Sequence, residues 1–214
     1  MNQNFGQKSH QLFILLFSII WLILLMLCLT FTKLELHSIL NSFHNPIFDF
    51  FFKYITHLGD GIFAIILVVI FFALKNKKLS LYLLISFLLT SMLVQGLKSF
   101  IFADSMRPFF YIDKGLLNVS LVDQVTMHKQ FSFPSGHSTT VFAIATLLSL
   151  FYKSPRISIF LVIISSLTAF SRVYLSQHFI QDVLAGSFFG IVSSLLVYYY
   201  LEKMNVNQLN NSSK

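Results

Sequence analysis

The feature that most constrains this chain is residues 12–31, an uncharged run made almost entirely of large apolar side chains. As a helix it would be about 30 Å long, the thickness of a bilayer's hydrocarbon core, with its backbone polar groups bonded internally. A cleaved secretory signal has a shorter apolar core and a small-residue cleavage site, so the run reads as a retained first helix. Uncharged, histidine-free stretches cover 11–32, 61–74, 79–97, 138–152, 157–171 and 183–201. Three of them fall short of the roughly 20 residues a spanning helix needs and must borrow polar neighbours at their ends. The expected spans are then about 11–32, 56–74, 79–100, 135–152, 156–175 and 178–201. The composition, 56% hydrophobic and 11% charged, is far from the roughly 25% charged of soluble domains. The expectation is an all-α, six-helix integral membrane bundle in one domain, 1–202. A polar cytoplasmic tail, 203–214, would follow, with "NVNQLNNSSK" disordered.

Charge then orients the bundle. With six spans both termini share a side, which also holds Lys8, Lys75, Lys77, Lys78, Lys153, Arg156, Lys203 and Lys214 against the single acid Glu202. The opposite side carries equal numbers of bases and acids, so the whole excess of +7 lies on one side. By the positive-inside rule the termini, "KNKK" and "KSPR" are cytoplasmic. That accounts for the charge without nucleic acid. The single cysteine, Cys28, lies inside the first run, which excludes an intrachain disulfide and a thiolate metal cluster. No internal repeat is evident.

On the outer side, two longer segments, 33–60 and 103–134, connect the spans. The first mixes aromatics with isolated charges and suits an amphipathic stretch along the interface; the second is too polar for lipid. "VYYY" at 197–200 suits an interfacial belt or packing surface. Three polar clusters fall on the same outer side: Lys98 with Arg107-Pro108, "PSGH" at 134–137, and Arg172, His178 and Asp182 within "SRVYLSQHFIQD". Ionisable groups beside membrane spans are expensive and mark function by default. Three permanent cations, two histidines and a carboxylate suit an anion site with acid–base or nucleophilic groups, as for phosphate.

Each cluster also has a plainer reading. Ser135 is a good N-cap and Gly136 permits close backbone approach, so the helix start could face an oxyanion or simply be capped. If the sixth helix begins near His178, Asp182 lies on the same face and can fix the imidazole tautomer, unless the two are only a surface pair. His137, His178 and Asp182 could alternatively bind zinc, although three neighbouring cations would repel it. His10, His37, His44, His57 and His128 have no partner pattern and read as solvated at the interface.

These clusters resemble the three-part signature of the type 2 phosphatidic acid phosphatase (PAP2) family: lysine, six residues, Arg-Pro; then Pro-Ser-Gly-His; then Ser-Arg, five residues, His, three residues, Asp. Pro134-Ser135-Gly136-His137 and Ser171-Arg172…His178…Asp182 match without deviation. In the first part eight residues, not six, separate Lys98 from Arg107, and strict spacing would place the lysine at Phe100. Nine helical positions turn a side chain to the opposite face, so the chain must leave the helix, within "FADSM", for Lys98 to reach the site. Otherwise Lys98 is a snorkelling lysine at a helix end.

The resemblance implies a metal-free lipid phosphate phosphatase without cofactors, working through a phosphohistidine. His178 would attack phosphorus, Asp182 would orient it and His137 would protonate the leaving oxygen. Lys98, Arg107, Ser135, Gly136 and Arg172 would hold the phosphate. Family substrates include phosphatidic acid, phosphatidylglycerophosphate, polyprenyl diphosphate and lipid A phosphates; small size and a compact outer loop favour polyprenyl diphosphate and a bacterial cytoplasmic membrane. The competing classes are an anion-binding transporter, which needs no His178–Asp182 pair, and a haloperoxidase-like site, against which the membrane spans argue.

Overall fold

The computed structural model describes residues 3–212, with side chains from Ser9 to Met204. The described residues form nine α-helices and two short helical turns, with no strand. The helices are α1 (Gln3–Thr30), α2 (Lys33–Leu40), α3 (Pro46–Ile55), α4 (Gly61–Ala73), α5 (Lys77–Gly96), α6 (Pro108–Asp113), α7 (Gly136–Tyr152), α8 (Pro155–Tyr174) and α9 (Ile180–Ser212). A 3-10 turn, Thr56–Gly59, links α3 to α4, and a π-helical turn, Leu97–Ile101, ends α5.

Four helical stretches are long and apolar enough to cross a bilayer: Ser9–Thr30, Lys77–Ile101, Pro155–Tyr174 and Ile180–Met204. The expected span 56–74 is instead part of a broken element. Pro46–Gly59 and Gly61–Ala73 pass the same test together but are bent by 58° at Asp60. The expected span 135–152 is α7, at 17 residues only about 26 Å long. Its position removes the need for length. It packs against α1, α4, α5, α8 and α9, and Ser138, Thr139, Val141, Phe142, Ala145 and Leu147 are all buried, so protein surrounds it.

Two glycines set the most intimate packing. In Gly186-x-x-x-Gly190 of α9, a Cβ at Gly190 would lie 2.3 Å from the Thr139 carbonyl oxygen, and one at Gly186 would lie 2.4 Å from that of Ser135. Backbone therefore meets backbone where α9 crosses α7, as small residues at this spacing allow. The amide of Ser135 donates to the Asp182 carbonyl at 2.9 Å in the same crossing. Two sequence expectations change here. The last helix begins at Ile180, leaving His178 in the preceding loop, and it continues to Ser212 through the stretch expected to be disordered. No proline or glycine follows Gly190, and extending an existing helix costs little; residues 213–214 lie outside the described residues.

The outer segment 33–60 folds as helices. Thr32 and Glu35 form a capping box on α2, while Asn45 accepts from the amides of Ile47 and Phe48 ahead of Pro46 on α3. α3 buries Phe52 and Ile55 and exposes Ile47, Phe50 and Tyr54, so both of its faces are apolar. Segment 103–134 is mostly irregular and is tied by Arg107 N–H to Lys129 O and Ser132 N–H to Ser105 O, both 2.9 Å.

Candidate active site

At one end of the bundle, the C-terminal ends of α5 and α8 meet the N-terminal ends of α7 and α9. Between them lies a cleft of about 520 Å³ lined by Lys98, Arg107, Gly136, His137, Arg172 and His178, with Thr56, His57 and Asp60 on one wall. The three sequence clusters therefore converge. Two predicted residues stand behind the lining. Ser135 is fully buried and its hydroxyl oxygen accepts from Ser138 N–H and Oγ–H, so its side chain caps α7. Asp182 lies beneath His178.

Lys98 reaches the cleft because α5 loosens into the π-helical turn and the chain then leaves the helix before Arg107. The two extra residues are absorbed by this change of path. Arg107 is locked by carbonyls: its Nε donates to Gln130 O at 2.8 Å and its Nη1 to Gln177 O at 3.3 Å. Arg172 donates through Nη1 to Thr56 Oγ1 at 2.8 Å, while its buried Nε has no hydrogen-bond partner among the described residues.

His178 sits in a loop closed on the end of α8, with Gln177 N–H and His178 N–H both donating to Arg172 O. Its Nδ1 lies 3.3 Å from Asp182 Oδ2, so Nε2 is the ring nitrogen that Asp182 does not engage. The same carboxylate oxygen accepts from Ser132 Oγ–H at 2.5 Å and Phe179 N–H at 3.0 Å. An ionised Asp182 selects the Nδ1–H tautomer of the neutral ring. Burial holds the His178 imidazole well below its usual range, and the positive charges of Arg107, Lys98 and Arg172 add to this. The ring is thus favoured in its neutral form, with Nε2 unprotonated. Across the cleft, His137 pairs through Nε2 with Asp60 Oδ1 at 2.8 Å.

Several of the other histidines depart from the solvated reading. His37 is buried, bonded to Ser176 and Asn41, and burial pushes its imidazole down to about 4. His44 pairs with Asp49 and His10 hydrogen-bonds Ser149, while His57 pairs with Asp60 but stays exposed, as expected. Asn41, Asp49 and Asp60 lie close by in sequence, whereas Ser176 and Ser149 lie 139 residues from their histidines, which residue spacing does not reveal. Thr56, Asp60, Ser132 and Gln177 escaped the sequence reading for the same reason. The one available signal was the Gly59-Asp60-Gly61 interruption in an apolar run.

The profile of the PAP2 superfamily matches residues 79–205. Phosphatidylglycerophosphatase B of Bacillus subtilis is 32% identical over 164 residues, 70% of this chain and 73% of that protein. A lipid A 1-phosphatase of Porphyromonas gingivalis is 41% identical over 70 residues, 32% of this chain but 16% of that protein's length. Among solved structures, LpxE of Aquifex aeolicus superposes with a TM-score of 0.67 at 30% identity, covering 78% of this chain and 94% of that one.

Proposed function

This chain belongs to the PAP2 superfamily of membrane lipid phosphatases, and from that premise we propose that it hydrolyses a lipid phosphomonoester or diphosphate through a phosphohistidine at His178. The observation that carries the reading is the Asp182-bound His178 facing a cleft lined by Lys98, Arg107 and Arg172. Nε2 of His178 attacks phosphorus as the bond to the lipid-side oxygen breaks, and His137 gives that oxygen a proton. Water then attacks the phosphohistidine, His137 takes its proton, the P–N bond breaks and phosphate leaves. Asp182 holds Nδ1–H and balances the charge on the ring. The three cations and the free amides at the start of α7 neutralise the phosphoryl oxygens, the main demand of phosphoryl transfer. That role needs no divalent ion, which the same cations would repel.

The helix ends that form the cleft lie opposite Lys77, Lys78 and Lys153, which supports an extracytoplasmic site with both termini in the cytoplasm. Polyprenyl diphosphate remains the favoured substrate for so compact a chain, and the large cleft has room for more than one phosphate. The names of the relatives support lipid A and phosphatidylglycerophosphate as alternatives. The test is phosphate release by the detergent-solubilised protein from phosphatidic acid, phosphatidylglycerophosphate, undecaprenyl diphosphate and lipid A, with kcat/KM ranking the four. Activity that survives EDTA is expected; release from none of the four, or loss on chelation, would sink the reading.

Two further outcomes follow. The pH–rate profile with a water-soluble phosphate ester is expected to be bell-shaped, since His178 must be neutral while His137 carries a proton. Because the His178 imidazole is held low, it stays neutral as pH falls, and the acid limb should lie below the ordinary imidazole value of about 6.5. A flat profile counts against both roles. Ser132→Ala should lower kcat about 10-fold with little change in KM, because it removes one of three donors to Asp182 Oδ2; an unchanged kcat would remove Ser132 from the machinery.

A further inference from the structure

Resting on the reading above, we propose that Asp60 is a positioning residue for His137: it fixes the ring through Nε2 and supplies the negative charge against which the imidazolium forms. Four observations place it there. Asp60 stands at the 58° break between the 3-10 turn and α4, so its side chain is presented at a corner and not along a helix face. Gly59 lets that corner press on α7, since a Cβ there would lie 2.9 Å from both Cβ and the carbonyl oxygen of His137. Asp60 Oδ1 meets His137 Nε2 at 2.8 Å, and Oδ2 meets Nδ1 of the exposed His57 at the same distance. Thr56, in the same turn, accepts from Arg172, so one short segment braces two sides of the cleft.

The charge argument follows from what surrounds His137. Burial is the largest influence against a positive ring there, Arg172 from α8 and Arg107 from the outer segment add to it, and His178 and Lys98 lie across the same cleft. The cations that bind phosphate and keep His178 neutral would therefore also strip His137 of the proton it must give. Asp60 is the carboxylate on the His137 side and Asp182 the one on the His178 side. With Nε2 engaged by Asp60, the transferable proton is the one on Nδ1. Two carboxylates thus assign two histidines opposite roles within a single cationic cleft.

Asp60→Asn keeps an acceptor for Nε2–H but removes the charge. It is expected to lower kcat about 10-fold or more with KM nearly unchanged. The alkaline limb of the pH–rate profile should move to lower pH by about one unit, because loss of a neighbouring anion favours the neutral ring. Asp60→Glu should restore the limb. A merely structural role would reduce activity without moving it. In the wild type, a low-field imidazole N–H resonance that disappears in His137→Gln is also expected, and its absence overturns the pairing even if the Asp60 variants do not fold. A wild type that releases no phosphate overturns the reading on which this rests. An active wild type whose Asp60→Asn variant keeps its alkaline limb overturns this inference alone.

Discussion

His178→Ala is expected to cut phosphate release by about 10³-fold or more while the protein remains folded. His178 is a buried ring whose Nδ1 is tied to the Asp182 carboxylate, with three cations around the space its Nε2 can reach. The loop around it does not depend on the ring: Gln177 N–H and His178 N–H hold it to Arg172 O through backbone, and Ser176 meets His37. Truncation therefore removes a nucleophile without opening the bundle. Asp182→Asn makes a sharper companion. It preserves shape but can present an amide donor to Nδ1, so it should also lose rate heavily by favouring the wrong tautomer. The check is phosphate release alongside thermal melting of the purified variants. A His178→Ala protein that turns over as fast as wild type rules out the nucleophile assignment.

The second large effect is expected at the crossing of α9 over α7. Gly190→Val must displace one helix from the other, because even the first carbon would sit 2.3 Å from Thr139 O and 3.1 Å from Ala143 N. Overpacking of this kind costs about 1–3 kcal/mol or more. The damage should not stop at stability. Asp182 rides on the start of α9, with His178 in the loop just before it, while Gly136 and His137 begin α7, and the Ser135 N–H to Asp182 O bond ties the two starts. Separation of the helices moves the nucleophile away from the acid. Melting several degrees lower and at least about 10-fold less activity are expected together, whereas Leu196→Val, on an exposed part of α9, should change little. A Gly190→Val protein with wild-type melting would contradict the backbone-to-backbone packing.

Much of this was legible in the sequence because membrane chemistry is strict. Apolar runs must be helical, so the membrane-crossing parts of α1, α5, α8 and α9 follow from hydropathy, although α1 begins eight residues earlier and α9 ends eleven residues later than expected. Arg107, Arg172, His137 and His178 could be gathered on one side because charges must leave lipid at helix ends. What escaped was set by local geometry. The break at Asp60 depends on how Gly59 fits against His137, and hydropathy sees only one polar residue near an apolar run. His37 was read as solvated because Ser176, 139 residues away, is joined to it only by folding. Lys98 shows the reverse: its irregular spacing to Arg107 demanded a departure from the helix, and the π-helical turn supplies one. Ser135 kept the simpler of its two readings, since its hydroxyl oxygen is engaged in capping.

The account turns on two successive in-line displacements at phosphorus, first by His178 and then by water. The stereochemical course tests this most directly, using a phosphorothioate substrate made chiral with oxygen isotopes and hydrolysed in isotopically distinct water. Two displacements, each inverting the centre, should give net retention in the released thiophosphate. Net inversion would mean that water attacks the substrate directly, and would contradict the phosphohistidine and the role assigned to His178.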